Sequence, residues 1–183
     1  MRNWFDFLKG RKNAHKNSKP EEFRLLDLGI KYLDKKDYAR ALSELNRVLA
    51  LSPRNEVAVL KLGHVYLQQK KYSEAIGQFN RALEIDPEFI DPHEGLGFCY
   101  FEQGRLEEAM EKFRYMLNAN PDNERAHFGL GLCYNTKQEH GKAMEAFQRV
   151  LKINPRHAQA KEVIKFLSKR QSGSDVKEKN VSG

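Results

Sequence analysis

The sequence predicts an all-α array of short helical repeats, on three observations. One set of residue types recurs along the chain at a step of 34. Within each step the apolar residues keep helical spacing and the unit closes on a proline. Of the 183 residues 40% are hydrophobic and 31% charged, a balance too polar for one large central core but suited to many small interfaces.

The recurrence is carried by six columns, each held over four units. They are Leu28, Leu62, Leu96 and Leu130; Gly29, Gly63, Gly97 and Gly131; and Tyr32, Tyr66, Tyr100 and Tyr134. In the second half of each unit stand Ala41, Ala75, Ala109 and Ala143; Leu45, Phe79, Phe113 and Phe147; and Pro53, Pro87, Pro121 and Pro155.

Each column has a physical reading. A glycine inside a helix costs roughly 0.5–1 kcal/mol against alanine, so its recurrence needs a packing reason. Here it admits a neighbouring helix close to the backbone, with the leucine before it and the tyrosine after it alongside. The alanine does the same for the return helix. Proline cannot continue the preceding helix and so ends the unit, with Asp86 and Asn154 as turn residues just before Pro87 and Pro155.

On these columns the array resembles the tetratricopeptide repeat family, whose unit is a helix–turn–helix. The resemblance covers about four-fifths of the chain. It implies a right-handed α-solenoid with repeats at 22–55, 56–89, 90–123 and 124–157. Residues 1–21 form a basic and aromatic tail ahead of the array, and residues 171–183 are expected to be disordered. Residues 158–170 read as a capping helix, with Val163, Ile164 and Leu167 facing inward and Lys161, Lys165 and Lys169 outward. The family pattern is broken locally. The bulky aromatic near the start of the first helix is replaced by Leu25, Val59, His93 and His127, and the turn glycine survives only as Gly104.

A net charge of +7 suggests nucleic acid until it is divided along the chain. Residues 1–20 contribute +5 and residues 168–183 contribute +2, while 22 basic and 22 acidic residues cancel between them. The body therefore offers no basic groove, and nucleic-acid binding through the tails is the weakest of the partner readings. No segment reaches the roughly 18 apolar residues of a spanning helix. Asp6 interrupts the apolar cluster near the amino terminus, so no secretory signal is expected. The two cysteines do not make a disulfide framework and fit a reducing, cytoplasmic setting.

The first helix of each unit carries more apolar surface than stacking needs. Leu25, Leu28 and Tyr32 make one stripe, while Phe23, Leu26, Ile30 and Leu33 make a second on another side. In similar repeat arrays that second stripe lines a concave groove where a peptide docks. Carried down the chain, it comprises Leu60, His64 and Leu67, then Glu94, Phe98, Phe101 and Glu102, then Arg125, Phe128, Leu132 and Asn135. One branch of the family clamps a partner's terminal carboxylate there. The matching positions hold Leu26, Ile30, Lys61, Asp91 and Gly95, which do not make such a clamp. The expected partner is a protein presenting an apolar or amphipathic peptide, and the chain reads as a scaffold or adaptor.

Chemistry is not expected. No phosphate-binding glycine loop, nucleophile elbow or paired carboxylates appear, so no catalytic residue and no cofactor are assigned. His93 and His127 share a repeat position but lack further metal ligands, and read as packing substitutes for an aromatic. Cys99 and Cys133 read as small core residues.

The repeats do not explain the amino-terminal tail. Trp4, Phe5 and Leu8 share one face of a short helix, and Lys9, Arg11 and Lys12 follow. That pattern fits weak, peripheral attachment to an anionic membrane surface. Two other readings stand beside it: self-association, in which the tail fills the groove of its own or a neighbouring copy, and a disordered tail.

Overall fold

The structure is a computed structural model that describes the backbone of residues 20–179 and the side chains of residues 20–169. Every regular element among the described residues is a helix. Each repeat contributes a first helix and a return helix. The pairs are α1 (Pro20–Asp34) with α2 (Tyr38–Leu51), α3 (Glu56–Gln68) with α4 (Tyr72–Ile85), α5 (Asp91–Glu102) with α6 (Leu106–Ala119), and α7 (Glu124–Thr136) with α8 (His140–Ile153). A ninth helix, α9 (Ala158–Lys179), follows. Each helix packs on the next in sequence. Successive first helices also touch, α1 with α3, α3 with α5 and α5 with α7, so the first helices form the inner row of an all-α solenoid.

Local sequence sets the helix ends. The side chains of Asp37, Asn55 and Asn123 accept hydrogen bonds from the amides of Arg40, Ala58 and Ala126 at 3.2, 2.8 and 3.0 Å, capping α2, α3 and α7. The start of α5 lacks such a cap; Pro92 in its first turn has no amide to leave unsatisfied. Phe89, in the loop before it, is 1% exposed and plugs the core instead.

All four turns between paired helices share one geometry. In the first, the amide of Lys36 donates to the carbonyl of Leu33 and that of Asp37 to Tyr32, each at 2.9 Å. The equivalent bonds recur at Lys70 and Lys71, Gly104 and Arg105, and Gln138 and Glu139. This is a Schellman motif, whose penultimate residue must take a left-handed backbone. Gly104 does so at φ 75°, but Lys36 and Lys70 are held at 60° and Gln138 at 61°. A side chain is strained in that region by about 1 kcal/mol. Lys36→Gly, Lys70→Gly and Gln138→Gly are each expected to stabilise the fold by about 0.5–1 kcal/mol, read by urea denaturation. Loss of stability at all three would contradict the geometry.

In the second, third and fourth repeats the core is built around one aromatic ring each. A Cβ placed on Gly63 would stand 2.5 Å from Phe79 of the return helix in its own repeat. Gly97 and Gly131 face Phe113 and Phe147 in the same way, at 2.6 and 2.7 Å. The same ring is also approached by a second glycine from the following repeat: Gly95 against Phe79 and Gly129 against Phe113. Gly95 and Gly129 also stand 34 apart, and the matching position before them is Lys61. The ring column holds Leu45 there, so a shorter core residue accompanies a longer side chain at the glycine position.

Both ends of the array depart from the interior pattern. Ala58, Pro92 and Ala126 are buried against the preceding repeat, as are Val65, Cys99 and Cys133. The corresponding residues of α1 are Arg24 and Lys31, both exposed, and Lys31 pairs with Asp27 at 2.7 Å. At the other end, α9 packs on the last return helix, α8. Ala160 and Leu167 are buried, and Val163 and Ile164 pack beside them, with Ala143, Phe147 and Val150. Lys161, Lys165 and Lys169 are exposed.

The length of α9 corrects the boundary expected from sequence. The helix does not end at 170 but runs on to Lys179 through residues assigned to a disordered tail. No proline interrupts 171–179, and Gln171, Lys177, Glu178 and Lys179 are good helix formers.

Candidate binding groove

The inner row of first helices bears two adjoining cavities. The larger, about 590 Å³, is lined by His64, Leu67, Gln68, Lys70, Tyr72, Glu94, Gly95, Phe98, Glu102 and Arg125. The smaller, about 310 Å³, is lined by Ile30, Leu33, Asp34, Lys36, Tyr38, Lys61, His64 and Gln68. His64 and Gln68 border both, so they sit at the ridge between them.

The fifteen residues expected to line the groove divide by their packing. Ile30, Leu33, His64, Leu67, Glu94, Phe98, Glu102 and Arg125 line the cavities. Phe23 is 43% exposed at the amino-terminal end. Phe101, Phe128, Leu132 and Asn135 are half-buried further along the array. Leu26 and Leu60 are corrected: they are 4% and 2% exposed and belong to the core clusters, not to the contact surface. Their place on the helix turns them toward neighbouring helices, whereas Ile30 and His64, one turn later, reach the opening.

The aromatic members rest on the core rings. His64 meets Phe79 edge-on at 5.4 Å between centroids, and Phe98 meets Phe113 at 5.3 Å. Phe128 lies 5.6 Å from Phe147 and 4.8 Å from the His157 ring. The ring column that holds the repeats together therefore also fixes the groove wall.

The floor carries more charge than the sequence reading assigned to it. Arg125 Nη1 donates to Glu94 Oε2 at 2.8 Å, joining α7 to α5. Burial pushes the Glu94 carboxyl up, an effect the Arg125 guanidinium opposes, while Glu94 holds Arg125 above its ordinary value. Burial pushes the Lys61 ammonium down, and Asp91 and Asp34 offset part of that. His64 is lowered to about 3, first by burial and then by the positive charges of Lys61 and Arg125. It is therefore neutral at physiological pH, and its Nε2 is buried without a hydrogen-bond partner. At the rim, Tyr72 Oη donates to Glu102 at 3.1 Å.

Asp34, Lys36, Tyr38, Lys61, Gln68, Lys70, Tyr72 and Gly95 were missed as lining residues. The signal for two of them was present: Asp34 and Gln68 occupy the 34-residue column of Glu102, which was assigned.

The remaining sequence candidates are structural where they can be placed. His93 stacks on Tyr115 with ring centroids 4.0 Å apart, and the His127 Nε2 lies 2.8 Å from the Pro121 carbonyl. Among the described residues no group of three or more His, Cys, Asp or Glu side chains is placed to hold a metal. Cys99 and Cys133 are free and buried, and burial raises their thiols to about 12 and about 11. No helix among the described residues is long and apolar enough to cross a membrane. Trp4, Phe5, Leu8, Lys9, Arg11 and Lys12 lie outside the described residues.

Comparison with known proteins agrees with this architecture. A family model described as TPR repeat matches residues 63–104, and one described as tetratricopeptide repeat matches residues 100–165. No curated protein matches the sequence. Among solved structures, a crystal structure of MamA aligns with a TM-score of 0.66 and 26% identity over 79% of this chain and 85% of that one. MamA from Desulfovibrio magneticus RS-1 aligns at 0.72 and 16% identity, over 91% of this chain and 94% of that one. Pseudomonas aeruginosa PilF aligns at 0.76 and 21% identity, over 84% of this chain and 70% of that one. The periodic glycine–ring core, the repeated turns and these matches have one source: the chain belongs to the tetratricopeptide repeat family.

Proposed function

We propose that this protein holds an amphipathic peptide segment of a partner protein in its concave groove. Tetratricopeptide repeat proteins are protein–protein interaction scaffolds and generally non-enzymatic, and the chain belongs to that class. The observation that carries the finer reading is the pair of adjoining cavities on the inner row of helices. Their walls are partly apolar, through Ile30, Leu33, Leu67 and Phe98. Their floor is charged but internally balanced, Glu94 by Arg125 and Lys61 by Asp91 and Asp34. A purely apolar segment would strand those charges without water, and a purely polar one would leave the apolar wall uncovered. A segment with both kinds of side chain satisfies the two at once.

The test is a selection of short displayed peptides on the full chain, followed by photo-cross-linking. A cross-linking residue at Gln68, which is exposed between the two cavities, is expected to capture the selected peptides. The same residue at Asn80, exposed on the return helix α4, is expected not to. Capture from Asn80 and not from Gln68 would place the binding surface outside the groove.

A further inference from the structure

We propose that the groove is occupied at rest by the apolar cluster Trp4, Phe5, Phe7 and Leu8 of the same copy, which a partner segment must displace. The inference rests on the groove reading and adds a regulation to it. Residues 1–19 stand directly ahead of Pro20, the first residue of α1. α1 itself supplies Ile30 and Leu33 to the smaller cavity. Ile30 is ten residues from Pro20, about 15 Å along the helix. Phe98, in the larger cavity, lies two first-helix spacings across the row, roughly 20 Å to the side. The straight path from Pro20 to that cavity is therefore about 25 Å. Residues 9–19 span at most about 36–40 Å when extended, so the cluster can reach either cavity of its own copy.

The chemistry of the cavities selects which part of residues 1–19 fits. Together their linings carry three carboxylates against four lysine and arginine side chains, and His64 is neutral. A lining so nearly balanced offers Lys9, Arg11 and Lys12 no net attraction. What it leaves uncovered is apolar, since Ile30, Leu33, Leu67 and Phe98 are only half-buried. Trp4, Phe5, Phe7 and Leu8 gather large apolar side chains within five positions, and seating them on that wall hides both surfaces from water. The short tether favours the same copy over a neighbour. It presents the cluster at an effective concentration on the order of 1 mM, so even a weak contact fills the groove.

Trp4 is the only tryptophan of the chain, so its fluorescence reports on the cluster directly. In the full chain its emission is expected to lie to the blue of that of a synthetic peptide of residues 1–19, at any protein concentration. Adding a displayed peptide selected on the full chain should return it toward the red. A photo-cross-linking residue at Gln68 is expected to join residues 1–8 of the same molecule, and one at Asn80 is not. Replacing Trp4, Phe5, Phe7 and Leu8 by serine in the full chain is expected to raise the affinity of the selected peptides about tenfold. That is the factor for a tether of about 1 mM acting on a contact with a dissociation constant on the order of 0.1 mM. Helix content by circular dichroism is the folding control and should hold. Selected peptides that cross-link from Gln68 but bind the serine variant no more tightly would overturn this inference and leave the groove reading standing. A blue shift seen only with anionic vesicles would assign the cluster to a membrane surface instead. Cross-linked products of double mass would give the groove to a second copy and overturn the intrachain contact. Selected peptides captured from Asn80 alone would overturn the groove reading itself.

Discussion

Gly95→Ala is expected to destabilise the protein by about 2–3 kcal/mol, the cost of forcing an extra methyl into a filled core. That corresponds to a fall of roughly 5–10 °C in melting temperature for a chain of this size. The reason is the double clasp on Phe79. Gly63 approaches the ring from its own repeat and Gly95 from the next, and a Cβ on either would meet ring carbons. Phe79 is fully buried, so it has no open side to move into. The control is Gly77→Ala in the middle of α4, where a Cβ would meet nothing within 4 Å. There alanine's helix preference acts alone, and a gain of about 0.5–1 kcal/mol is expected. Opposite signs for one chemical change on neighbouring helices cannot come from propensity. The combination of Gly95→Ala with Phe79→Leu should recover part of the loss, because Leu45 with Lys61 already combines a shorter core side chain with a larger partner. Equal effects of Gly95→Ala and Gly77→Ala, measured by thermal or urea unfolding, would refute the clasp.

Acid is expected to weaken the fold through His64. Its folded value lies near 3, below the ordinary 6.5, because the ring is buried and Lys61 and Arg125 oppose a further positive charge. Between those two values the unfolded chain binds a proton that the folded chain does not, so stability rises with pH there and falls as pH drops. Above about pH 7 the imidazole is neutral in both states and contributes no slope. From pH 7 to pH 5 the loss assigned to His64 is about 2 kcal/mol. His64→Leu removes that share, and leucine is the residue one column member already carries, as Leu132. The variant is therefore expected to lose about 2 kcal/mol less than the natural chain over the same interval, by urea denaturation at both pH values. It should also be more stable at pH 7 by about 1 kcal/mol, because the unpartnered Nε2 is gone. Parallel pH profiles for the two proteins would show that the ring titrates normally.

The fold was readable because a solenoid repeats its contacts. Each unit touches itself and its nearest neighbours, so the same demand falls on the same residue type at every step of 34. Glycine against a ring, alanine in the return helix and proline at the end all express such local demands. The polar start was written in Arg24 and Lys31, which stand where later repeats bury small or apolar residues. The turn conformation was less visible. Gly104 alone advertises it, yet Lys36, Lys70 and Gln138 are held in the same left-handed geometry by the hydrogen bonds of the motif.

The groove was readable only in outline. Sequence alone determined that the first helices carry two apolar stripes, since helical periodicity requires nothing beyond the residue order. It also determined the position of each groove column. Tertiary structure decided which members of a stripe remain available. Leu26 and Leu60 share a stripe with Ile30 and His64, but the neighbouring helices close over the first two and leave the latter at the cavities. It likewise decided the electrostatics. Glu94 and Arg125 are 31 residues apart and meet because α5 and α7 lie side by side, while Lys61 joins them from α3. Periodicity is a property of one helix and survives in the sequence; burial and ion pairing belong to the space between helices, which only the packed solenoid defines.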